Sequence, residues 1–140
     1  MSRFCTSIDI KAPPERVWAA FVDVESWPRW TPTVSSVRLL DPGPLAIGSR
    51  AEIRQPRLPV AIWQVTVLDE SAGLFAWVSR RRGIAVTAVH CVEPLPAGAH
   101  ATLSLSFTGL FGSFIARLMR NLTSEYVVTE AQGLKAFLEG

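Results

Sequence analysis

The chain has 140 residues, of which 49% are hydrophobic and 19% are charged, and its formal net charge at pH 7 is +2. A chain of this length and apolar content can bury a core and is too hydrophobic to be intrinsically disordered. The near balance of 14 basic and 12 acidic residues argues against a nucleic-acid-binding domain. No integral membrane segment or signal peptide is predicted, and we expect a cytoplasmic protein.

The first part of the chain predicts one strand and two short helices. Apolar and polar residues alternate from residue 3 to residue 10, which is the period of a strand. Pro14 and Glu15 then suit the first turn of a helix, and apolar residues recur at helical spacing over 17–22. A second, shorter helical turn is predicted for residues 27–32, because a proline closes that segment.

The remainder predicts an antiparallel meander and a long helix. Six further strands are expected at residues 34–40, 49–54, 61–68, 74–79, 84–92 and 102–107. Short connections between successive strands imply antiparallel neighbours. Residues 110–138 contain no proline and carry a wide apolar stripe, which predicts a single helix of about 40 Å.

This order of elements predicts a cavity. A sheet of six to seven strands with one apolar face must be covered, and only the C-terminal helix is long enough to cover it. A twisted, curved sheet does not close everywhere around a straight helix. We therefore expect an elongated apolar cavity between sheet and helix, where a hydrophobic small molecule would bind.

Short sequences spread over nearly the whole chain resemble the START-like (SRPBCC) superfamily, and most closely its branch of polyketide cyclase/dehydrase and lipid-transport proteins. These sequences are Ile10–Trp18, Trp27–Trp30, His90–Leu95, Phe107–Gly109 and Gly133–Lys135. The resemblance implies a helix-grip α+β fold, with a curved antiparallel sheet around the long C-terminal helix. It also implies a single START-like ligand-binding domain over residues 1–140, which binds a lipid, a polyketide or an aromatic ring.

Eight residues are predicted to line the cavity and to bind the ligand. They are Trp30, Trp63, Trp77, His90, Phe107, Leu118, Leu122 and Tyr126. For Trp63 and Trp77, stacking on a flat ligand and merely filling the space are equally favoured. Trp30 is a candidate for the cavity entrance, although attaching the short helices to the sheet is the preferred role for Trp27 and Trp30.

His90 shares the more apolar face of its strand with Val86, Ala88 and Val92. The preferred interpretation is a core histidine paired with a backbone or hydroxyl group. The alternative is a general acid or base, or a residue that orients a ligand. No acidic partner for His90 is evident in the sequence, and no residue is assigned a catalytic role.

Charged residues are mostly expected to be solvated. Glu125 is a weak candidate for an acid in the cavity, but it is better explained as exposed or ion-paired, and Glu130 is assigned to the wet face of the helix. Three consecutive arginines, Arg80–Arg82, are predicted to form a solvated turn. Attraction of an acidic partner or of lipid headgroups by this turn is the less favoured alternative.

No cofactor and no metal site are predicted, because the sequence lacks a phosphate-binding loop and ligands at metal-binding spacing. Cys5 and Cys91 are expected to be small buried residues. The favoured function is therefore binding of a hydrophobic or aromatic small molecule. The alternative is a cyclase or dehydratase, in which His90 removes a proton next to a ketone while Tyr126 or a backbone N–H polarises the carbonyl. A partner-binding module and a homodimer are kept as further alternatives.

Overall fold

The computed structural model describes residues 2–140, so Met1 of the expected 1–140 domain lies outside the described residues. The seven strands are β1 (Ser2–Ile10), β2 (Ser36–Leu39), β3 (Arg50–Arg54), β4 (Ala61–Asp69), β5 (Leu74–Arg81), β6 (Ile84–Leu95) and β7 (Gly98–Thr108). The helices are α1 (Pro14–Val22), a 3₁₀ helix (Val24–Arg29), α2 (Gly112–Leu118) and α3 (Arg120–Glu139).

All seven strands form one antiparallel sheet in the order β1-β7-β6-β5-β4-β3-β2. Strands β2 to β7 follow one another as a meander, and β1 returns to pair with β7 through the register Ser2 to Phe107. The register shifts between Val65 and Val67, where a bulge adds one residue to β4 and increases the local bend. The predicted curved sheet with two short helices and a C-terminal helical segment is confirmed.

The C-terminal segment is not one helix, contrary to the prediction. It divides at Met119, which leaves the helical conformation between α2 and α3. Hydrogen bonds from the Met119 N–H to the Ile115 carbonyl and from the Thr123 N–H to the Met119 carbonyl still cross this break. Ile115, Met119 and Leu122 all face the sheet, whereas Leu118 is exposed.

Smaller corrections concern element ends and the cysteines. The β6–β7 hairpin runs past Pro94, which is in register with Ala99, because the chain reverses only at residues 96–97. The second short helix begins at Val24 rather than at residue 27. Cys5 is exposed, contrary to expectation, because it points to the outer face of β1, and Cys91 is half-buried.

The apolar core fills one end of the space between the sheet and the helices. Phe21, Trp27, Phe75 and Leu134 are among its buried side chains. Here α3 approaches the segment after the 3₁₀ helix so closely that a Cβ on Gly133 would lie 2.0 Å from a backbone carbonyl oxygen. Only glycine permits that contact, which places the segment around residues 31–33 against α3.

Candidate functional site

A cavity of about 410 Å³ lies between the sheet and the helices α2 and α3. Its wall includes inward side chains of β3 to β7, the loop of residues 55–60 and one side of each helix. The lining is predominantly apolar, and cavities of roughly 300–1,000 Å³ are typical of small-molecule sites. The tryptophans in the wall therefore do not fill the available space.

Six of the eight predicted ligand-binding residues lie in the wall of this cavity, and two do not. The six are Trp63, Trp77, His90, Phe107, Leu122 and Tyr126. Trp30 is buried beside Trp27, with ring centroids 5.6 Å apart, and does not reach the cavity. Leu118 is 69% exposed and does not reach the cavity. The predicted placement of these two residues is corrected accordingly.

Trp27 lines the cavity and also holds the short helices together. Its indole Nε1 donates hydrogen bonds to the carbonyl oxygens of Phe21 at 3.1 Å and of Ala20 at 3.2 Å. Its ring lies 5.2 Å from that of Trp77 in an edge arrangement. The indole therefore joins the core to the cavity wall, and its N–H is not available to a ligand.

His90 is buried, and its ring packs against the aromatic rings of Phe21, Trp27 and Phe75. Its Nδ1 lies 3.2 Å from the carbonyl oxygen of Phe75. Because a carbonyl only accepts hydrogen bonds, Nδ1 carries the proton and Nε2 is left as an acceptor. Burial lowers the pKa of His90 to about 4, so the imidazole is neutral at pH 7 and a weak base.

Glu130 lines the cavity, although the sequence pattern predicts that it lies on the solvated face of its helix. It lies in α3, is half-buried and lines the same cavity as His90. Its Oε2 accepts a hydrogen bond from Thr33 Oγ1 at 3.1 Å. Burial raises the pKa of Glu130 to about 7, against the opposing effect of that hydrogen bond. The carboxyl group is therefore able to take and release a proton near neutral pH.

Two buried threonines support this carboxyl group. Thr31 Oγ1 and Thr33 Oγ1 lie 2.8 Å apart. Because Thr33 donates its hydroxyl proton to Glu130, Thr31 is the donor in the pair, and the hydroxyls form a short chain that ends at the carboxyl. The sequence contained one signal for this site: Glu130 is four residues from Tyr126 and shares its helix face.

The ring of Trp63 lines the cavity and carries a second polar group. Its indole Nε1 is buried and has no hydrogen-bond partner among residues 2–140. A buried N–H without a partner costs about 1–3 kcal/mol, so a bound molecule that brought an acceptor within reach of it would be stabilised. The buried hydroxyl-bearing residues Ser79 and Ser104 also contribute to the wall.

The loop of residues 55–60 covers part of the cavity and is attached to α3. Tyr126 donates its hydroxyl proton to the carbonyl oxygen of Pro56. Arg57 and Glu125 form an ion pair at 3.5 Å, with both side chains largely exposed. Glu125 therefore lies outside the cavity, as preferred in the sequence analysis. Since exposed Arg57 belongs to the wall, the cavity reaches the surface at this end of the sheet.

The described residues 2–140 contain no group of three or more His, Cys, Asp or Glu side chains that could hold a metal ion. Within the same part of the chain, no helix is long and apolar enough to cross a membrane.

The family model described as polyketide cyclase/dehydrase and lipid transport matches residues 1–139. The chain belongs to this family. The resemblance found in the sequence is thereby confirmed. No curated protein matches the chain at a significant level.

Solved structures share the fold of this polyketide cyclase/dehydrase and lipid-transport family member. The Zhui aromatase/cyclase from Streptomyces sp. R1128 superposes with a TM-score of 0.80 at 14% identity, over 99% of this chain and 93% of its own. Ginseng major latex-like protein 151 from Panax ginseng gives 0.79 at 13% identity, over 98% and 97%. XoxI from Bacillus cereus gives 0.76 at 19% identity, over 99% and 96%. These similarities establish the helix-grip fold.

Proposed function

We propose that residues 1–140 are a single ligand-binding domain whose cavity takes a hydrophobic or aromatic small molecule, lipid- or polyketide-like, that carries at least one carbonyl or hydroxyl oxygen. The observation that carries this proposal is an apolar cavity of about 410 Å³ with an unpartnered buried donor, Trp63 Nε1, in its wall. Family membership supports the hydrophobic character of the ligand. The buried N–H of Trp63 supports a ligand oxygen that would accept its hydrogen bond.

Apolar burial would supply most of the binding free energy. At roughly 25 cal/mol per Å², a bicyclic ligand that removes about 200 Å² of apolar surface from water gains on the order of 5 kcal/mol. A hydrogen bond from Trp63 adds about 1 kcal/mol and fixes the position of the ligand oxygen. His90 Nε2 would accept a hydrogen bond from a ligand hydroxyl, since Nδ1 is already bonded to Phe75.

A pair of ligands with the same carbon skeleton tests this proposal. Tetralin and 1-tetralone differ by one carbonyl, and isothermal titration calorimetry gives the affinity of each. We expect 1-tetralone to bind more tightly, and Trp63→Phe to reduce that advantage about five- to tenfold while tetralin binding stays unchanged. Trp30→Phe is the control, because Trp30 is buried but lies outside the cavity.

Blocking the cavity provides a second check on the same proposal. Val86 lines the cavity, whereas Val89 lies on the same strand with its side chain on the other face. Val86→Trp should abolish binding of both ligands, and Val89→Trp should preserve it. Binding that survives Val86→Trp, or an unchanged preference for 1-tetralone in Trp63→Phe, would contradict the proposal.

A cyclase or dehydratase is the second candidate, and the ionisation of Glu130 favours it. With a pKa of about 7, the Glu130 carboxylate can remove a proton next to a ketone. The resulting carbanion attacks a second carbonyl of the same chain, a C–C bond forms, and protonated Glu130 gives its proton to the alkoxide, which becomes a hydroxyl. Glu130 then removes a second α-proton and delivers it to that hydroxyl as the C–O bond breaks, which forms the C=C bond and releases water. His90, with its pKa of about 4, is a weak base and serves better as a hydrogen-bond acceptor than as the base expected from the sequence.

The pH dependence of turnover separates these two residues. With a linear poly-β-ketone as substrate, the rate should rise with pH through about 7 in the wild type, and Glu130→Gln should remove this rise together with most of the activity. Gln keeps the size of the side chain and an acceptor for Thr33. If His90→Gln abolishes turnover and Glu130→Gln retains it with the same pH profile, the assignment of Glu130 is wrong.

A reducing, cytoplasmic setting is part of the proposal, because the sequence has two widely separated cysteines and not a disulfide framework. The lack of a nucleic-acid partner and the alternative of a homodimer stay predictions of the sequence. Size-exclusion chromatography with light scattering would test the homodimer.

A further inference from the structure

Helix α2 exposes an unusual amount of apolar surface. Four large side chains at or beside it are exposed: Leu110 by 85%, Phe111 by 51%, Phe114 by 66% and Leu118 by 69%. Phe111, Phe114 and Leu118 follow at intervals of three and four residues, which places them on one side of the segment, and Leu110 adjoins Phe111. The opposite side is buried through Gly112 and Ala116. We call these four exposed residues the α2 patch.

Six arginines surround the α2 patch. They are Arg3, Arg80, Arg81, Arg82, Arg117 and Arg120, all of them exposed. The turn that carries Arg80–Arg82 touches the patch directly, because the backbone N–H of Phe111 donates to the Gly83 carbonyl oxygen at 2.8 Å. On the other side, Arg3, Arg117 and Arg120 line one surface depression together with Ser113.

Few carboxylates near the six arginines balance their positive charge. None of the six arginines forms an ion pair with a carboxylate of the described residues 2–140. Residues 71–124 contain a single acidic residue, Glu93. Glu93 lies nine residues from the start of β6, about 30 Å along the strand from the arginine turn. Apart from these six arginines, the chain carries eight basic and twelve acidic residues, so the positive charge is concentrated around the α2 patch.

The fold explains why these residues meet. In the antiparallel sheet, the same end of the strands contains the start of β1, the end of β5, the start of β6 and the end of β7. Helix α2 follows β7 at that end of the sheet. Apolar side chains in the centre and guanidinium groups around them match the interior and the headgroup phosphates of an anionic bilayer surface.

We propose that this end of the molecule docks peripherally on an anionic lipid bilayer. The α2 patch inserts among the lipids, the arginines bind headgroup phosphates, and the depression formed by Arg3, Arg117 and Arg120 takes one of them. The inference does not rest on the ligand of the cavity, because it uses only exposed residues that a bilayer can reach.

Vesicle co-sedimentation of the full chain tests the proposal. We expect binding to vesicles of phosphatidylcholine and phosphatidylglycerol at roughly 3:1, little binding to phosphatidylcholine alone, and weaker binding at high salt. Leu118→Asp should weaken binding to the anionic vesicles by at least about tenfold. Ile47→Asp is the matched control, since Ile47 is 67% exposed, lies outside the patch and undergoes the same change of charge.

A second pair of variants tests the arginines. Replacing Arg117 and Arg120 by Ser should weaken binding to anionic vesicles by about tenfold or more, because each basic residue near the surface contributes about 1 kcal/mol, or a factor of about five. Replacing exposed Arg16 and Arg29 by Ser removes the same charge elsewhere and should have a smaller effect. Equal binding to neutral and anionic vesicles would overturn the proposal, and so would equal losses of binding in a variant and its control. The proposal would also be wrong if the α2 patch dimerised the chain and the chain did not bind vesicles.

Discussion

The raised pKa of Glu130 makes a specific prediction about stability. Its ordinary pKa of 4.5 rises to about 7 in the folded protein. A tenfold change in proton affinity is worth about 1.4 kcal/mol, so the ionised form of Glu130 costs on the order of 3 kcal/mol in the folded state. Glu130→Gln removes this cost, while the amide oxygen can still accept the hydrogen bond of Thr33.

The sign of the pH dependence follows from proton binding. Between about pH 4.5 and 7 the folded state holds the Glu130 proton more tightly than the unfolded state, so rising pH reduces stability through this group. His90 acts in the opposite sense between about pH 4 and 6.5, because its folded pKa is lowered and rising pH increases stability. The two effects largely cancel in the wild type over the range that they share.

Urea denaturation followed by tryptophan fluorescence measures the free energy of unfolding at each pH. The free energy of unfolding of Glu130→Gln, minus that of the wild type, should increase by about 3 kcal/mol from about pH 4 to about pH 8. Arg57 and Arg81 line the same cavity, but Arg57 pairs with Glu125 and Arg81 donates to a backbone carbonyl, and within residues 2–140 neither forms an ion pair with Glu130.

The control is Glu125→Gln, which makes the same substitution in the same helix but outside the cavity, at a side chain that is 62% exposed. A difference for Glu130→Gln that stays constant across this range would refute the reasoning, because it would mean that Glu130 is ionised without cost.

Three further predictions concern packing and the hydroxyl chain. Gly133→Ala should destabilise by about 1–3 kcal/mol in chemical denaturation, although alanine is the better helix former, because the new Cβ would lie 2.0 Å from a backbone oxygen. Thr33→Val should raise the pKa of Glu130 further, as read from the carboxyl resonance by NMR, since the lost hydrogen bond lowers that pKa. Leu134→Ala should cost about 2–5 kcal/mol and Leu118→Ala less than about 0.5 kcal/mol, because only Leu134 is fully buried.

The fold could be predicted because its determinants are local and repeated. Alternation along β1, turn-forming residues between the strands and the apolar stripe after residue 110 each specify an element without knowledge of the others. The break at Met119 has no such marker, since neither proline nor glycine lies at that position. Leu118 belongs to the apolar stripe by its spacing, and so its exposure could not be predicted from spacing alone.

The site could be predicted only in part from the sequence, because the burial of a polar residue depends on its tertiary surroundings. Glu130 follows a helical stretch with other polar residues, a pattern typical of a solvated face. Its burial depends on the contact of Gly133 with the Trp30 backbone, which brings Thr33 to the carboxyl group from a segment almost one hundred residues away. His90 and Tyr126 could be predicted as cavity residues because each is a rare residue type on an apolar face. Such a residue stands out even when the exact alignment of the strands and helices is unknown.

The partial overlap of the packed core with the cavity wall has an evolutionary consequence. Trp27, Ile53 and Trp77 belong to both, whereas Val86, Ile115 and Leu122 belong to the wall alone. Substitutions at wall residues outside the core can therefore alter which compound is accepted at lower cost to folding. Such an arrangement allows the ligand to change while the scaffold is kept.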